Sequence, residues 1–358
     1  MLAKPFSKQR KLQHCNNPTK KNERYREMKI SRSVKIAAAL AGSALALTGV
    51  SATTAANAAG GEKVYVVGGM PSDPFWSVVK RGAEAAAEAV KAAGGTVTWL
   101  GPANYDNLGP DAGKLVDNAI AAGATAIVVA DWVPAAENAA IKRAVAKGIS
   151  VVHYNAGGLA AVKQTGALMY VGSDDYLAGV AGGKYLASKG AKNILCVNTV
   201  PGSANQEARC KGVAVGAKGK AKSKQLPLPS SNFGNPTAVS NAVKAALVKD
   251  KTIDAVVTIG VQDADSAAAA IKAAGLGAKV KLGTFDMSTN VLDRIAAGTQ
   301  LFAIDQQPWL QGYLATSIAW QHAQYGALPA SNPLLTGPAI VDKKNVAVVK
   351  TGVAAGVR

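Results

Sequence analysis

The chain has 358 residues, 49% of them apolar and 5% aromatic, with a formal net charge of +18. That hydrophobicity excludes a disordered chain, and the length suffices for two domains that each bury a core. A strong positive charge suggests nucleic acid, but eleven of the Lys/Arg and two of the acids fall in residues 1–58, so half of the excess lies there. The later lysines are dispersed along Ala-rich stretches, apart from one run at 218–224 that reads as a solvated helix end and turn, so no nucleic-acid partner is expected.

Residues 1–27 are polar, basic and without periodicity. They read either as a non-native or disordered extension upstream of a true start at Met28, which is the plainer account, or as a targeting or nucleic-acid tail. Residues 28–58 read as a signal peptide, with Lys29, Arg32 and Lys35 in a basic n-region, an apolar run at 36–50, and Ala56-Asn57-Ala58 as a small-x-small cleavage site. The apolar run is shorter than the roughly 20 residues a membrane span needs. No cysteine stands at the cleavage point near Ala58, so a lipid anchor is not expected.

From Glu62 onward predicted strands and helices alternate. A strand at 63–68 leads into a helix at 75–93, ended by Gly94-Gly95 as helix C-termini prefer. Strand 96–100, helix 111–122, strand 126–130, helix 135–147 and strand 150–154 follow. The rhythm restarts with a short strand at 168–171, helix 176–189, strand 193–197, helix 205–217 and strand 225–228. Helix 236–249, strand 255–259, helix 264–274, strand 281–285, helix 290–297 and strand 301–305 come next, and Pro308 opens a helix running to about 325. Continuous apolar strands interleaved with helices imply parallel sheets covered on both faces. Two stretches of similar size and order predict an α/β chain of two doubly wound parallel-sheet lobes.

Cys15 precedes the signal peptide, which leaves Cys196 and Cys210. A strand end and the helix that returns over it can meet within disulfide range. In an oxidising compartment a bridge closing a loop of about 15 residues is expected, worth roughly 3 kcal/mol in the loop-entropy description; the alternative is two buried free thiols. His14, His153 and His322 are scattered, with no partner at metal-ligand spacing, so neither a metal nor a cofactor is expected.

Ligands of doubly wound sheets sit beyond the carboxyl ends of the strands. That rule selects Asp73, Phe75 and Trp76 after the first strand, Asp131 and Trp132 after the third, and Tyr154 and Asn155 after the fourth. In the second half it selects Arg209 within 205–209, then Phe233, Gln262, Asp263, Asp286 and Gln306. Flat aromatics suit the C–H faces of a sugar ring, and acids and amides suit its hydroxyl edge. The first turn, Gly68-Gly69-Met70-Pro71-Ser72, lacks dinucleotide-binding spacing. An amino-acid ligand would want paired charges and remains open. Each residue also has a plainer reading: Asp73, Asp131 and Asp263 as helix caps, and Phe75, Trp76 and Trp132 as core packing.

The chain resembles the periplasmic sugar-binding proteins of the ribose-binding type, from Lys63 onward. Four segments carry the likeness: Asp73-Pro74-Phe75-Trp76, Val171-Gly172-Ser173-Asp174-Asp175, Gly283-Thr284-Phe285-Asp286, and Ile304-Asp305-Gln306-Gln307-Pro308. The resemblance implies the type I periplasmic binding fold, with a three-stranded hinge crossed near 170–173, 306–308 and 336–337. It implies one lobe from 59–170 plus 307–336 and another from 171–306 plus 337–358. Phe75, Trp76 and Phe233 match stacking aromatics. Asp73, Asp131, Arg209, Gln262, Asp286 and Gln306 match hydrogen-bonding positions. Where ribose binders carry an Asp-Arg pair, this chain has Tyr154-Asn155, so another pentose, a hexose or a polyol fits equally.

The implied function is the solute-binding component of an ABC importer, a periplasmic monomer that closes on a small neutral sugar or polyol and docks on a membrane permease. The competing reading is a sensor of the same fold presenting a furanosyl signal or a nucleoside to a receptor. A DNA-binding regulator would need a helix-turn-helix where the signal peptide stands. An enzyme would need a nucleophile or acid–base set, and none is evident in the sequence.

Overall fold

The computed structural model describes residues 61–358; the basic extension and the expected signal peptide with its cleavage site near Ala58 lie outside the described residues. The chain first lays down β1 (Lys63–Val67), α1 (Pro74–Ala92), β2 (Thr96–Leu100), α2 (Leu108–Ala121), β3 (Ala126–Val129), α3 (Pro134–Ala146), β4 (Ser150–Tyr154), α4 (Gly158–Thr165) and β5 (Met169–Ser173). It then builds α5 (Asp175–Ser188), β6 (Asn193–Asn198), α6 (Ala204–Ala217), β7 (Lys222–Pro227), α7 (Pro236–Lys249), β8 (Ala255–Thr258), α8 (Val261–Ala273), β9 (Lys281–Phe285), α9 (Thr289–Ala297) and β10 (Phe302–Asp305). Helix α10 (Pro308–Tyr325) and β11 (Leu334–Gly337) return to the first lobe, and β12 (Ala339–Asp342) and α11 (Val346–Ala354) end in the second.

The result is two six-stranded sheets, ordered β11-β5-β4-β3-β1-β2 and β12-β10-β9-β8-β6-β7. All pairings are parallel except β10 with β12. The alternation of buried strands and helices thus yields two doubly wound α/β lobes. Strands β3, β4 and β8 are buried along their whole length, as sheets covered on both faces require. The chain passes between lobes after Ser173, between Asp305 and Pro308, and between Gly337 and Ala339.

Two helix pairs approach backbone to backbone. A Cβ at Gly312 of α10 would overlap the Val79 carbonyl of α1, and one at Gly179 of α5 would overlap the Arg209 carbonyl of α6. The second approach seats Arg209 against the start of α5.

Several elements differ from the sequence expectation. Helix α2 begins three residues early because Pro110 is tolerated in a first turn. Strand β7 begins at Lys222; its lysines hid it, yet they suit an exposed sheet edge. Helix α4 is only eight residues long and opens on two left-handed glycines, while β11 and β12 are short and flank Pro338. None of these carries a periodic signal.

Cys196 on β6 and Cys210 on α6 form a disulfide, with Cα atoms 5.7 Å apart across a separation of 14 residues. The bond ties α6, and hence Arg209, to β6, which lies between β8 and the edge strand β7. Reduction, or the Cys196→Ser/Cys210→Ser pair, should lower the unfolding free energy by about 3 kcal/mol. Urea titration with and without reductant measures this; an unchanged midpoint would mean that packing alone holds α6.

Candidate functional site

In the first lobe, Asp73 caps α1 by accepting from the Phe75 amide at 2.9 Å. It also accepts from the Tyr105 hydroxyl at 2.9 Å, and that hydroxyl accepts from the Met70 amide at 3.1 Å. The cap therefore sets where the first turn of α1 presents Phe75 and Trp76. Trp76 packs edge-on to Phe75, Trp132 and Tyr154, at centroid separations of 5.3, 5.4 and 5.7 Å. Asn155 follows β4 with φ of 59°, in the left-handed region that Asn tolerates. Its amide donates to Gln311 Oε1 at 3.2 Å.

In the second lobe the Arg209 guanidinium is 3% exposed. Its Nε donates to Asp175 Oδ1 at 2.8 Å, Nη1 to the Ile259 carbonyl at 3.0 Å and Nη2 to Gln306 Oε1 at 2.7 Å. The Phe285 ring lies 4.8 Å below it. Gln306 in turn donates to Asp286 Oδ1 at 2.5 Å. Asp286 has φ of 66°, and Gln307, at the second lobe crossing, has 52°. These two and Asn155 are the only non-glycine positive φ values among the described residues. Their concentration at cleft and hinge is where strain tends to be stored for function.

The two walls face each other across one shared, partly open cavity, a setting in which small-molecule sites tend to form. Asp73, Phe75, Trp76, Trp132 and Asn155 line it from the first lobe, and Arg209, Phe233, Gln262, Asp286 and Gln306 from the second. The lobes touch around it. Tyr105 and Phe233 meet edge-on at 4.7 Å, the Ala204 amide donates to the Trp132 carbonyl at 2.7 Å, and the Asn205 amide reaches Asn155 Oδ1 at 3.4 Å.

Three residues selected from the sequence do not line this space. Tyr154 is fully buried beneath Trp76, and its hydroxyl donates to the Val67 carbonyl. Asp131 is fully buried under the Gly157 turn, with neither carboxylate oxygen hydrogen-bonded. Nor does it cap α3, which starts after Val133 without a side-chain cap; Glu137, inside the helix, instead reaches back to accept from the Trp132 and Val133 amides at 3.1 and 2.8 Å. Asp263 lies inside α8 and accepts from the Thr199 hydroxyl at 2.7 Å. Conversely, Tyr105 and Asn205 line the cavity and were not selected. Tyr105 follows β2, so the strand-end rule would have found it had it been applied to that strand; Asn205 begins the 205–209 stretch that the rule did mark.

Neither described histidine faces the cavity. His153 bonds Thr165 Oγ1 at 2.8 Å, and His322 bonds Ser150 Oγ at 2.8 Å. No group of three or more His, Cys, Asp or Glu among the described residues is placed to hold a metal ion.

The family described as "Periplasmic binding protein domain" matches residues 64–327. Among solved structures, a carbohydrate transporter from Acidothermus cellulolyticus 11B in complex with myo-inositol is 34% identical, with a TM-score of 0.76, covering 84% of this chain and all of that one. A glucose-galactose binding protein from Geobacillus stearothermophilus is 21% identical (TM-score 0.69), covering 80% of this chain and 98% of its own. A periplasmic solute binding protein of an ABC transporter from Actinobacillus succinogenes 130z, with bound D-allose, is 22% identical (TM-score 0.68), covering 80% of this chain and 99% of its own. The latter two establish likeness of fold alone. No curated protein in the comparison matches the sequence.

Burial raises Asp73 to about 6, and hydrogen bonds from Tyr105 and the Phe75 amide only partly oppose it. Burial likewise raises Asp263 and Asp286 to about 7, and Asp73 adds repulsion to both from across the cleft. Asp131 and Asp175 rise to about 6, and Glu137 also rises, all chiefly through burial. A carboxyl raised in the folded state binds protons there that the unfolded chain has already lost, so stability falls as pH climbs from about 4 to 7. His153 opposes this: burial lowers it to about 4, and stability is lost below the unfolded value near 6.5. Six carboxyls outweigh one imidazole. The ligand-free protein should therefore melt at a higher temperature at pH 5.5 than at pH 8, and Asp286→Asn should flatten that slope. A calorimetric scan across this range checks it; a midpoint that rises with pH would contradict the electrostatic account.

Proposed function

The chain belongs to the periplasmic binding protein family, and from that premise we propose that it is the solute-binding component of an ABC importer, capturing a neutral monosaccharide or polyol between its lobes. The observation that carries the reading is the composition of the shared cavity. Aromatic side chains come from both lobes, carboxylates and amides surround them, and the one lining cation, Arg209, is already engaged by Asp175. A cavity with Asp73 and Asp286 and no free cation disfavours phosphates and carboxylates. Hydroxyl hydrogens are what such acceptors lack. The myo-inositol complex of the 34% identical relative makes a cyclic polyol a natural first ligand to try, alongside pentoses and hexoses.

In this reading, Phe75 and Trp76 on one side and Phe233 on the other cover the ring faces. Asp73, Asn155, Gln262, Asp286 and Gln306 hold the hydroxyl edge, with Arg209 orienting Gln306. Asp131, Tyr154 and Asp263 support this set from behind rather than touching ligand. The crossings after Ser173, at 305–308 and at 337–339 act as the hinge, dividing the chain into lobes at 59–170 plus 307–336 and 171–306 plus 337–358. A ligand favours closure only by its greater affinity for the closed state. The closed monomer then docks on the permease. The periplasm is the compartment, and residues 28–58 are the export signal.

Thermal-shift measurement against myo-inositol, D-ribose, D-allose and D-glucose tests the proposal. A ligand at 100 times its dissociation constant adds roughly 2.7 kcal/mol, easily seen as a shift. Asp286→Ala should abolish the shift and leave the ligand-free protein folded. Turnover of any of these sugars, or a full shift in Asp286→Ala, would remove the reading.

A further inference from the structure

Helix α11 packs on α9 in the second lobe through Val346 and Val349. It ends in a left-handed turn at Gly356, with φ of 70°, where the Gly356 amide donates to the Val353 carbonyl and the Val357 amide to the Gly352 carbonyl. This is the double hydrogen bond of a Schellman cap, and it leaves the Gly356 carbonyl free to face outward. That carbonyl accepts from Arg81 Nε at 3.1 Å, and Arg81 belongs to α1 of the first lobe. A Cβ at Gly356 would lie 3.2 Å from the same guanidinium. The glycine thus both makes the turn and admits the arginine.

Two residues on, Arg358 Nε donates to Asp305 Oδ2 at 2.6 Å. Asp305 is 1% exposed, and its other oxygen accepts from the Gln307 amide at the hinge crossing. Arg358 also lines a narrow interlobe gap with Pro74, Phe75, Asp286 and Pro308, so two residues of the ligand cavity form part of its wall. One short segment therefore rides on the second lobe, pairs with the hinge and grips the first lobe.

We propose that residues 352–358 form a latch on lobe closure, in which Arg81 and Arg358 are positioning residues that set ligand affinity without touching ligand. The proposal rests on the reading that closure of the two lobes retains the solute. Opening the hinge withdraws the Gly356 carbonyl from Arg81, so this bond counts only toward the closed state. Arg358 holds the segment in place and neutralises Asp305, whose charge otherwise adds to the repulsion on Asp286.

The test uses spin labels at Glu88→Cys and Lys272→Cys, one exposed site in each lobe, in a Cys15→Ser background that leaves the disulfide intact. Interlobe distances are read with and without myo-inositol as the probe. Arg81→Ala should cut the closed-to-open ratio about threefold, the scale of one exposed charged contact, and Arg358→Ala, which frees the segment presenting the Gly356 carbonyl, should cut it at least as far. The probe's dissociation rate should rise by the same factor. Arg81→Ala should leave the melting temperature of the ligand-free protein unchanged, and Arg81→Lys, which keeps a donor, should recover most of the loss. Identical distance distributions in the wild type and both alanine variants, with and without probe, would overturn the latch. Failure of myo-inositol and the other sugars to bind the wild type would count against the sugar-binding reading instead, while the ligand-free distances still decide the latch.

Discussion

The buried guanidinium of Arg209 is the constraint around which the second lobe's side of the cleft is built. One side chain reaches the start of α5, the end of β8, the Phe285 ring at the end of β9 and the Gln306 amide at the second hinge crossing. Each is a place where the chain leaves a strand or changes lobe. Burying such a charge is costly, and its pairing with Asp175 repays that cost only with good geometry. The geometry comes from glycines that let α5 and α6 touch and from the disulfide that holds α6 to β6. Removing the arginine would strand Asp175 in the interior, with a loss of about 3–5 kcal/mol. The network is thus better understood as fixing the shape of the cleft than as adding stability.

The same cleft carries an imbalance of charge. Asp73 from one lobe and Asp286 from the other share a cavity whose cation is already taken, and Asp263 stands just behind them. Closing the empty cleft brings these carboxyls together in a poorly hydrated space. Hydroxyl donors placed between them would relieve that cost only in the closed form, which is the differential affinity a ligand needs to drive closure. An apolar cleft would close as readily when empty. On the proposed function, the raised carboxyls make closure depend on a ligand.

The alternation of apolar strands with glycine-stopped helices made both lobes legible, because period and punctuation are local signals. The strand-end rule brought ten of the selected side chains to one cavity. It failed where backbone position does not decide side-chain direction. Tyr154 and Asn155 are adjacent at the end of β4, yet one turns under Trp76 and the other faces the cavity. Asp131 looked like a helix cap, but α3 starts only after Val133 and without one, Glu137 takes the Trp132 and Val133 amides, and Asp131 is left unpaired. Arg81 and Arg358 carried no signal at all. Their roles depend on contacts across 275 and 53 residues of sequence, which no local pattern encodes.

The Tyr154-Asn155 pair also bears on what the cleft can hold. An acid and a base at these positions would set a charged clamp on the first lobe's floor. Here the tyrosine has become part of the aromatic wall, and the asparagine links three places: Gln311 on α10, the second lobe through Asn205, and the cavity itself. Gln311 donates onward to the Gln306 carbonyl, which also accepts from the Thr336 hydroxyl of the third crossing. A neutral amide thus joins the cavity to two hinge strands. An amide can donate and accept at once, so it can exchange a protein partner for a ligand hydroxyl without leaving a charge unpaired. The neutral pair leaves the first lobe with no cation in the cavity to hold an anionic sugar.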